Sequence, residues 1–145
     1  MYSLLDDKSL DAFEKAIKIS PKRVEGLGIK GNFLNQVGRY EEAIKCYDEI
    51  ITKLDPKAVD AFNNKGWALN KLGRYPEAIK CYDKALELDS NNKYVLNSKG
   101  YALINLDRYE EAIDYFNKAL SIDPEYVDAI DHRKIAEEKL QNRNK

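Results

Sequence analysis

The chain is 145 residues long, 43% hydrophobic and 34% charged, with a formal net charge of −1. That length supports one domain with a core of its own, and the balanced charge gives no general pull towards nucleic acid or an anionic membrane. No apolar run approaches a membrane span, two cysteines make no disulfide framework, and "MYSLLDDKSLDAFEK" lacks the apolar core of a signal peptide, so a cytoplasmic protein is expected.

The first predicted element is a single helix within residues 9–23, "SLDAFEKAIKISPKR", with Phe13 and Ala16 on its apolar side and Pro21 at its end. After it the sequence repeats itself. "GRYEEAIKCYDEI" at 38–50 returns as "GRYPEAIKCYDKA" at 73–85 and as "DRYEEAIDYFNKA" at 107–119. A period of this size divides the chain into units at 24–58, 59–92 and 93–126, followed by one further helix over 127–140.

The middle unit is the clearest. Phe62, Leu69 and Leu72 recur at helical spacing with small Ala61, Gly66 and Ala68 between them, which predicts an amphipathic helix of about four turns. Gly73 closes it, because glycine readily takes the left-handed conformation at a helix end. Pro76 falls in the first turn of a second helix, where its missing N–H costs nothing. Ala78, Ile79, Tyr82, Ala85 and Leu86 form that helix's stripe. Gly31, Gly66 and Gly100 occupy one position of each first helix. A mid-helix glycine costs roughly 1 kcal/mol against alanine, so close approach of the partner helix is expected there, at Ala43, Ala78 and Ala112, with Tyr47, Tyr82 and Phe116 filling the wider part.

The run "NNKGWALNKLGRYPEAIKCYDKALELD" resembles the tetratricopeptide repeat, with its small residue in the first helix, its Gly-Xaa-Tyr turn, its Ala–aromatic–Ala second helix and a frequent closing Pro. Three copies cover most of the chain. The resemblance implies an all-α, right-handed superhelical solenoid of antiparallel helix pairs. Asp107 replaces the turn glycine, Ser90 stands where Pro56 and Pro124 close the other copies, and Ile50 replaces the small residue seen as Ala85 and Ala119. The first copy has one extra residue within "EIITKLDP", so its second helix is expected to be longer or distorted. Residues 9–23 match only the second helix of a copy. The chain then either continues a longer array or associates with a second copy through this open N-terminal end. The last helix carries Lys134 in the glycine position, as a solvated cap would.

Catalysis has little footing. His132 is the sole histidine and reads as a surface residue; Cys46 and Cys81 share one slot of successive copies and read as small packing residues. No metal-ligand spacing and no phosphate loop appears, so neither enzymatic activity nor a cofactor is expected. Arg39, Arg74 and Arg108 alternate with acids and form no basic stripe, which counts against nucleic acid.

The resemblance implies that the first helices line a concave groove for a protein or peptide partner. Left over for that face are Asn32 and Asn35 in the first copy, Asn63, Asn64, Trp67, Asn70 and Lys71 in the second, and Asn97, Tyr101 and Asn105 in the third. Glu25, Gly28, Ile29, Gln36, Asp60, Tyr94, Ser98 and Ile104 join them, and Asp128, Asp131, His132 and Ile135 close the row from the last helix. Amides offer donors and an acceptor to a peptide main chain, and Trp67 and Tyr101 suit binding anchors. The competing reading is that the asparagines are compositional and Trp67 packs against the next copy. A variant of the family grips the terminal carboxylate of chaperone peptides. Here Asn32 and Asn64 fit its amide places, but Gly28, Tyr94 and Ser98 stand where it has cations, so chaperone tails are not expected to bind.

Overall fold

The computed structural model describes residues 4–19 and 22–145. Among the described residues eight α-helices follow in order: α1 (Leu4–Ile19), α2 (Arg23–Gln36), α3 (Tyr40–Glu49), α4 (Val59–Lys71), α5 (Tyr75–Leu88), α6 (Lys93–Asn105), α7 (Tyr109–Ile122) and α8 (Val127–Arg143). Pro21 and the Ala16 side chain, singled out above, lie outside the described residues. Each helix packs on the next, so α2/α3, α4/α5 and α6/α7 form pairs. The first helices also approach one another, α2 to α4, α4 to α6 and α6 to α8, whereas among the described residues α3, α5 and α7 do not. An all-α solenoid results, bent so that α2, α4, α6 and α8 lie on its inner side.

The turn residues explain the pairing. Gly38, Gly73 and Asp107 have φ of +83°, +75° and +59°. Each follows a first helix whose carbonyls are closed by two reverse bonds, as in Gly73 N to Asn70 O at 3.0 Å and Arg74 N to Leu69 O at 2.9 Å. Asp107 reaches the same conformation without being glycine, and its Oδ1 accepts from the Tyr109 hydroxyl at 2.7 Å. The following arginine starts the second helix and holds the glutamate three residues on with two parallel bonds, Arg39 on Glu42, Arg74 on Glu77 and Arg108 on Glu111. Arg39 also reaches Asp7, and Arg74 reaches Glu41 of the preceding pair. Each recurrent arginine is thus held by a carboxylate of its own helix start.

Within a pair the mid-helix glycines face aromatic rings. A Cβ on Gly31 would lie 2.8 Å from the Tyr47 ring, one on Gly66 2.5 Å from Tyr82, and one on Gly100 2.5 Å from Phe116. The nearest neighbour of each glycine is therefore the aromatic side chain rather than Ala43, Ala78 or Ala112. Those alanines are fully buried too. Between pairs, Lys30, Lys65 and Lys99 reach back to Glu14, Asp48 and Asp83 at 3.0, 2.6 and 2.5 Å. Such pairs contribute about 0.2–1 kcal/mol each, but their recurrence fixes how one pair sits on the next. At the C-terminal end Ala129 and Ala136 of α8 are buried and Lys134 is exposed.

The extra residue of the first copy is accommodated by a π-helical turn, Ile50–Leu54. Asp55 N bonds Ile50 O at 2.7 Å, five residues back, where Asp89 and Asp123 bond Ala85 and Ala119, four back. One inserted residue is what separates these two patterns. Deleting Lys53 should convert this turn to ordinary helix, with thermal unfolding by circular dichroism moving by no more than about 3 °C, a change of roughly 1 kcal/mol. A deletion of Lys84 in α5 should unfold the chain, since it rotates the rest of that helix's stripe out of the core. Equal losses from both deletions would refute this account.

Candidate functional site

The inner face carries two clefts. The C-terminal one, about 550 Å³, lies between α4, α6 and α8, and takes in Trp67, Asn70, Lys71, Asn97, Tyr101 and Asn105. The N-terminal one, about 560 Å³, lies between α2 and α4 and includes Asn32 and Asn64. Of the ten residues named from the sequence, Asn35 and Asn63 line neither cleft.

The asparagines divide in a way the sequence did not show. Asn35, Asn70 and Asn97 are only 8%, 8% and 7% exposed, so they are packed between helices rather than forming a free row of amides. Several are already engaged. Asn32 Oδ1 accepts from the Tyr47 hydroxyl at 2.7 Å and from Asn64 Nδ2 at 3.1 Å. Asn35 Nδ2 donates to the Tyr47 oxygen at 3.2 Å. Asn105 donates to its own helix at Tyr101 O. Ile104, read as groove-facing, is buried, because its turn of α6 faces α7 and α8.

His132 also departs from its surface reading. It is half-buried in the C-terminal cleft, with ring centroids 4.9 Å from Tyr101 and 5.8 Å from Phe116. Burial pushes its pKa down, against the nearby carboxylates Asp128 and Asp131. Its Nδ1 lies 3.0 Å from Asn97 Oδ1, and an amide oxygen there requires the proton on Nδ1.

Exposed aromatics dominate the C-terminal cleft. Trp67 is 38% exposed and Tyr101 39%. Trp67 is braced by an edge contact with Tyr40 at 5.9 Å and by the Lys71 ammonium 5.0 Å from its ring. Tyr94 and Tyr126 form an edge-on pair at 5.6 Å on the opposite wall. Tyr75 and Tyr126 were not read as site residues; they sit at helix starts, and only the pairing of helices brings them to the cleft. The N-terminal cleft is different. Val24, Ile29 and Val59 give it an apolar wall, Glu25, Asp55, Asp60 and Asp89 ring it with acid, and among the described residues no lysine or arginine lines it.

One position changes character along the stack. Tyr47 is satisfied by Asn32 and Asn35. The corresponding tyrosine of the second pair, Tyr82, has Trp67 in place of Asn32, and its fully buried hydroxyl has no partner among the described residues. The third pair has Phe116 at the tyrosine's place, with no hydroxyl to satisfy, and Tyr101 at the place of Asn32 and Trp67. Tyr47→Phe should therefore cost about 1–2 kcal/mol, while Tyr82→Phe should leave unfolding unchanged or raise its midpoint. Urea melts of the two variants check this, and an equal loss in both would contradict it.

Cys46 and Cys81 are buried, and burial raises both thiol pKa values, which suppresses the thiolate needed for nucleophilic chemistry. Among the described residues no group of three or more His, Cys, Asp or Glu could hold a metal, and no helix is long and apolar enough to cross a membrane.

Models of the tetratricopeptide repeat match residues 24–57, 59–92 and 94–126. No curated protein matches the chain significantly in sequence. Among solved structures, the Arabidopsis OM64 tetratricopeptide domain is 27% identical, with a TM-score of 0.73 over 78% of this chain and 93% of that one. The first such domain of human RPAP3 is 24% identical, with a TM-score of 0.81 over 86% of this chain and 98% of that one. A structure of the first such domain of Spaghetti (RPAP3) bound to the HSP90 peptide SRMEEVD is 24% identical and scores 0.78 over 85% and 97%.

Proposed function

Because the chain belongs to the tetratricopeptide repeat family, we propose that it is a non-catalytic scaffold that captures an extended peptide segment of a partner protein along its concave face. The observation that carries this reading is the pair Trp67 and Tyr101. Both are over a third exposed, both line one cleft, and Trp67 is pre-oriented by Tyr40 and Lys71. Large rigid aromatics held in place lose little entropy on binding and exclude much water. The role expected of the asparagines changes accordingly. Asn32, Asn35, Asn97 and Asn105 are engaged within the protein and stiffen the walls, and main-chain recognition falls to the amide oxygen of Asn64 and the cleft's hydroxyls.

The alternative of stacking through α1 draws no support from residues 7–15. There Leu10 is buried and Phe13 packs on Phe33 at 5.2 Å, while Asp7, Lys8, Asp11, Glu14 and Lys15 are exposed.

The Spaghetti (RPAP3) domain holds an acidic chaperone peptide, but charge argues for a different partner here. Among the described residues four carboxylates and no cation border the N-terminal cleft, and like charges brought together during docking oppose association. The peptide SRMEEVD should bind no tighter than about 1 mM. Fluorescence anisotropy at two salt concentrations checks this; micromolar affinity that weakens with salt would overturn the charge argument.

A further inference from the structure

At the floor of the C-terminal cleft two polar side chains are at least nine-tenths buried and lack partners for one atom each. The Tyr82 hydroxyl, on a fully buried residue, and Asn70 Oδ1, on a residue 8% exposed, have no hydrogen-bond partner among the described residues. Both residues line the cleft. Neither neighbouring pair leaves a tyrosine hydroxyl unsatisfied, although Asn35 Oδ1, the first-pair counterpart of Asn70 Oδ1, is also buried without a partner among the described residues. The first supplies Asn32 to its tyrosine, and the third replaces both residues by Phe116 and Ile104. A buried hydroxyl or amide without a partner costs stability. Among the described residues only the pair bearing Trp67 combines an unpartnered tyrosine hydroxyl with an unpartnered amide oxygen, and there both residues line a cleft beside Trp67, whereas Asn35 lines neither cleft.

We infer that this floor is the receptor for a primary carboxamide, the side chain of an asparagine or glutamine in the bound peptide, seated between Trp67 and Tyr101. The inference rests on the peptide-scaffold reading above and specifies the peptide. Tyr82 offers an O–H that needs an acceptor, and Asn70 offers a carbonyl that needs a donor. A trans peptide unit points its N–H and C=O in opposite directions and cannot serve both from one place. A primary carboxamide carries a C=O and an N–H along one edge. A carboxylate only accepts, so it would leave the Asn70 carbonyl facing negative charge, and it would be desolvated with no cation on the floor. An ammonium or guanidinium only donates and cannot receive the tyrosine proton. Burial holds the Tyr82 phenol well above its ordinary pKa, so it stays a donor.

The test uses the full chain and a bead library of acetylated nonapeptides randomised at every position. Wild type should select peptides with Asn or Gln at one fixed position next to an apolar or aromatic residue. Changing that residue to Glu or Leu in a selected peptide should weaken binding about tenfold, the loss expected for two hydrogen bonds. The double variant Tyr82→Phe with Asn70→Ile, which copies Phe116 and Ile104, should still bind but lose the preference for Asn or Gln. Should that variant not fold, the Glu and Leu peptides on wild type decide the matter alone. Selection of Ser or Thr, selection of Asp or Glu, or an amide preference that persists in the double variant would each overturn the inference. If wild type selects apolar peptides with no amide preference, this inference falls while the groove reading stands. If Trp67→Ala selects the same peptides as wild type, or wild type selects none, the groove reading itself falls.

Discussion

Replacing Trp67 by alanine should weaken peptide capture at least about 30-fold, the loss typical of a central aromatic anchor worth 2 kcal/mol or more. The indole contributes in two ways. It presents an exposed aromatic face to the cleft, and its partners Tyr40 and Lys71 fix its orientation before the peptide arrives. The fold should survive, because the residue is 38% exposed and the changes are a lost edge contact and a lost ammonium contact, together about 1–2 kcal/mol. Tyr101→Ala should show a smaller loss, since Tyr101 still leaves His132 in the cleft beside it. Val127, 63% exposed but outside both clefts, is the control, and Val127→Ala should bind as wild type does. The measurement is calorimetric titration with a peptide selected on wild type. Equal affinities for wild type and Trp67→Ala would remove the proposed anchor.

Gly66→Ala should destabilise the fold strongly. By intrinsic propensity the change favours helix by about 1 kcal/mol. Here the new Cβ would lie 2.5 Å from Tyr82 Cε1, with two further ring atoms at 2.9 Å. The ring is fully buried and cannot swing away without opening the core. Strain should win, with a net loss of about 2–3 kcal/mol and a fall in Tm on the order of 10 °C. Gly28→Ala is the counterpart. Gly28 lies within α2, and its added Cβ would meet nothing within 4 Å. There propensity acts alone, and Tm should rise by a few degrees, for a gain of about 0.5–1 kcal/mol. A common sign for both substitutions, in calorimetry or denaturant melts, would mean that the aromatic contact does not explain why glycine stands at 31, 66 and 100.

Much of the fold was legible because its signals are local. Gly38, Gly73 and Asp107 announce left-handed turns, and small residues at 31, 66 and 100 announce a tight crossing. Even the one-residue excess in the first copy pointed to the segment where the π turn lies. The partner of those glycines was less legible, since periodicity reports which residues face a neighbour and not which atom arrives first. The exposure of the aromatics was legible in the sequence, and the burial of the asparagines was not. Trp67 and Tyr101 lie on the inner row, where the helical register puts them. Asn35, Asn70 and Asn97 fall on the same face by register, yet the next helix covers them. Whether an amide reaches solvent depends on how far neighbouring pairs rotate against each other. That rotation is recorded in contacts between residues far apart in sequence, such as Ile44 with the core of the next pair and Lys65 with Asp48, and no single helix carries it.

The π turn confines an insertion to one helix. Units 59–92 and 93–126 close their second helices with a four-residue step and the unit at 24–58 with a five-residue step. Yet α2 meets α4 as α4 meets α6, so the surplus residue is taken up before the next unit begins. Units of unequal length can therefore stand in one array while their inner walls stay in line.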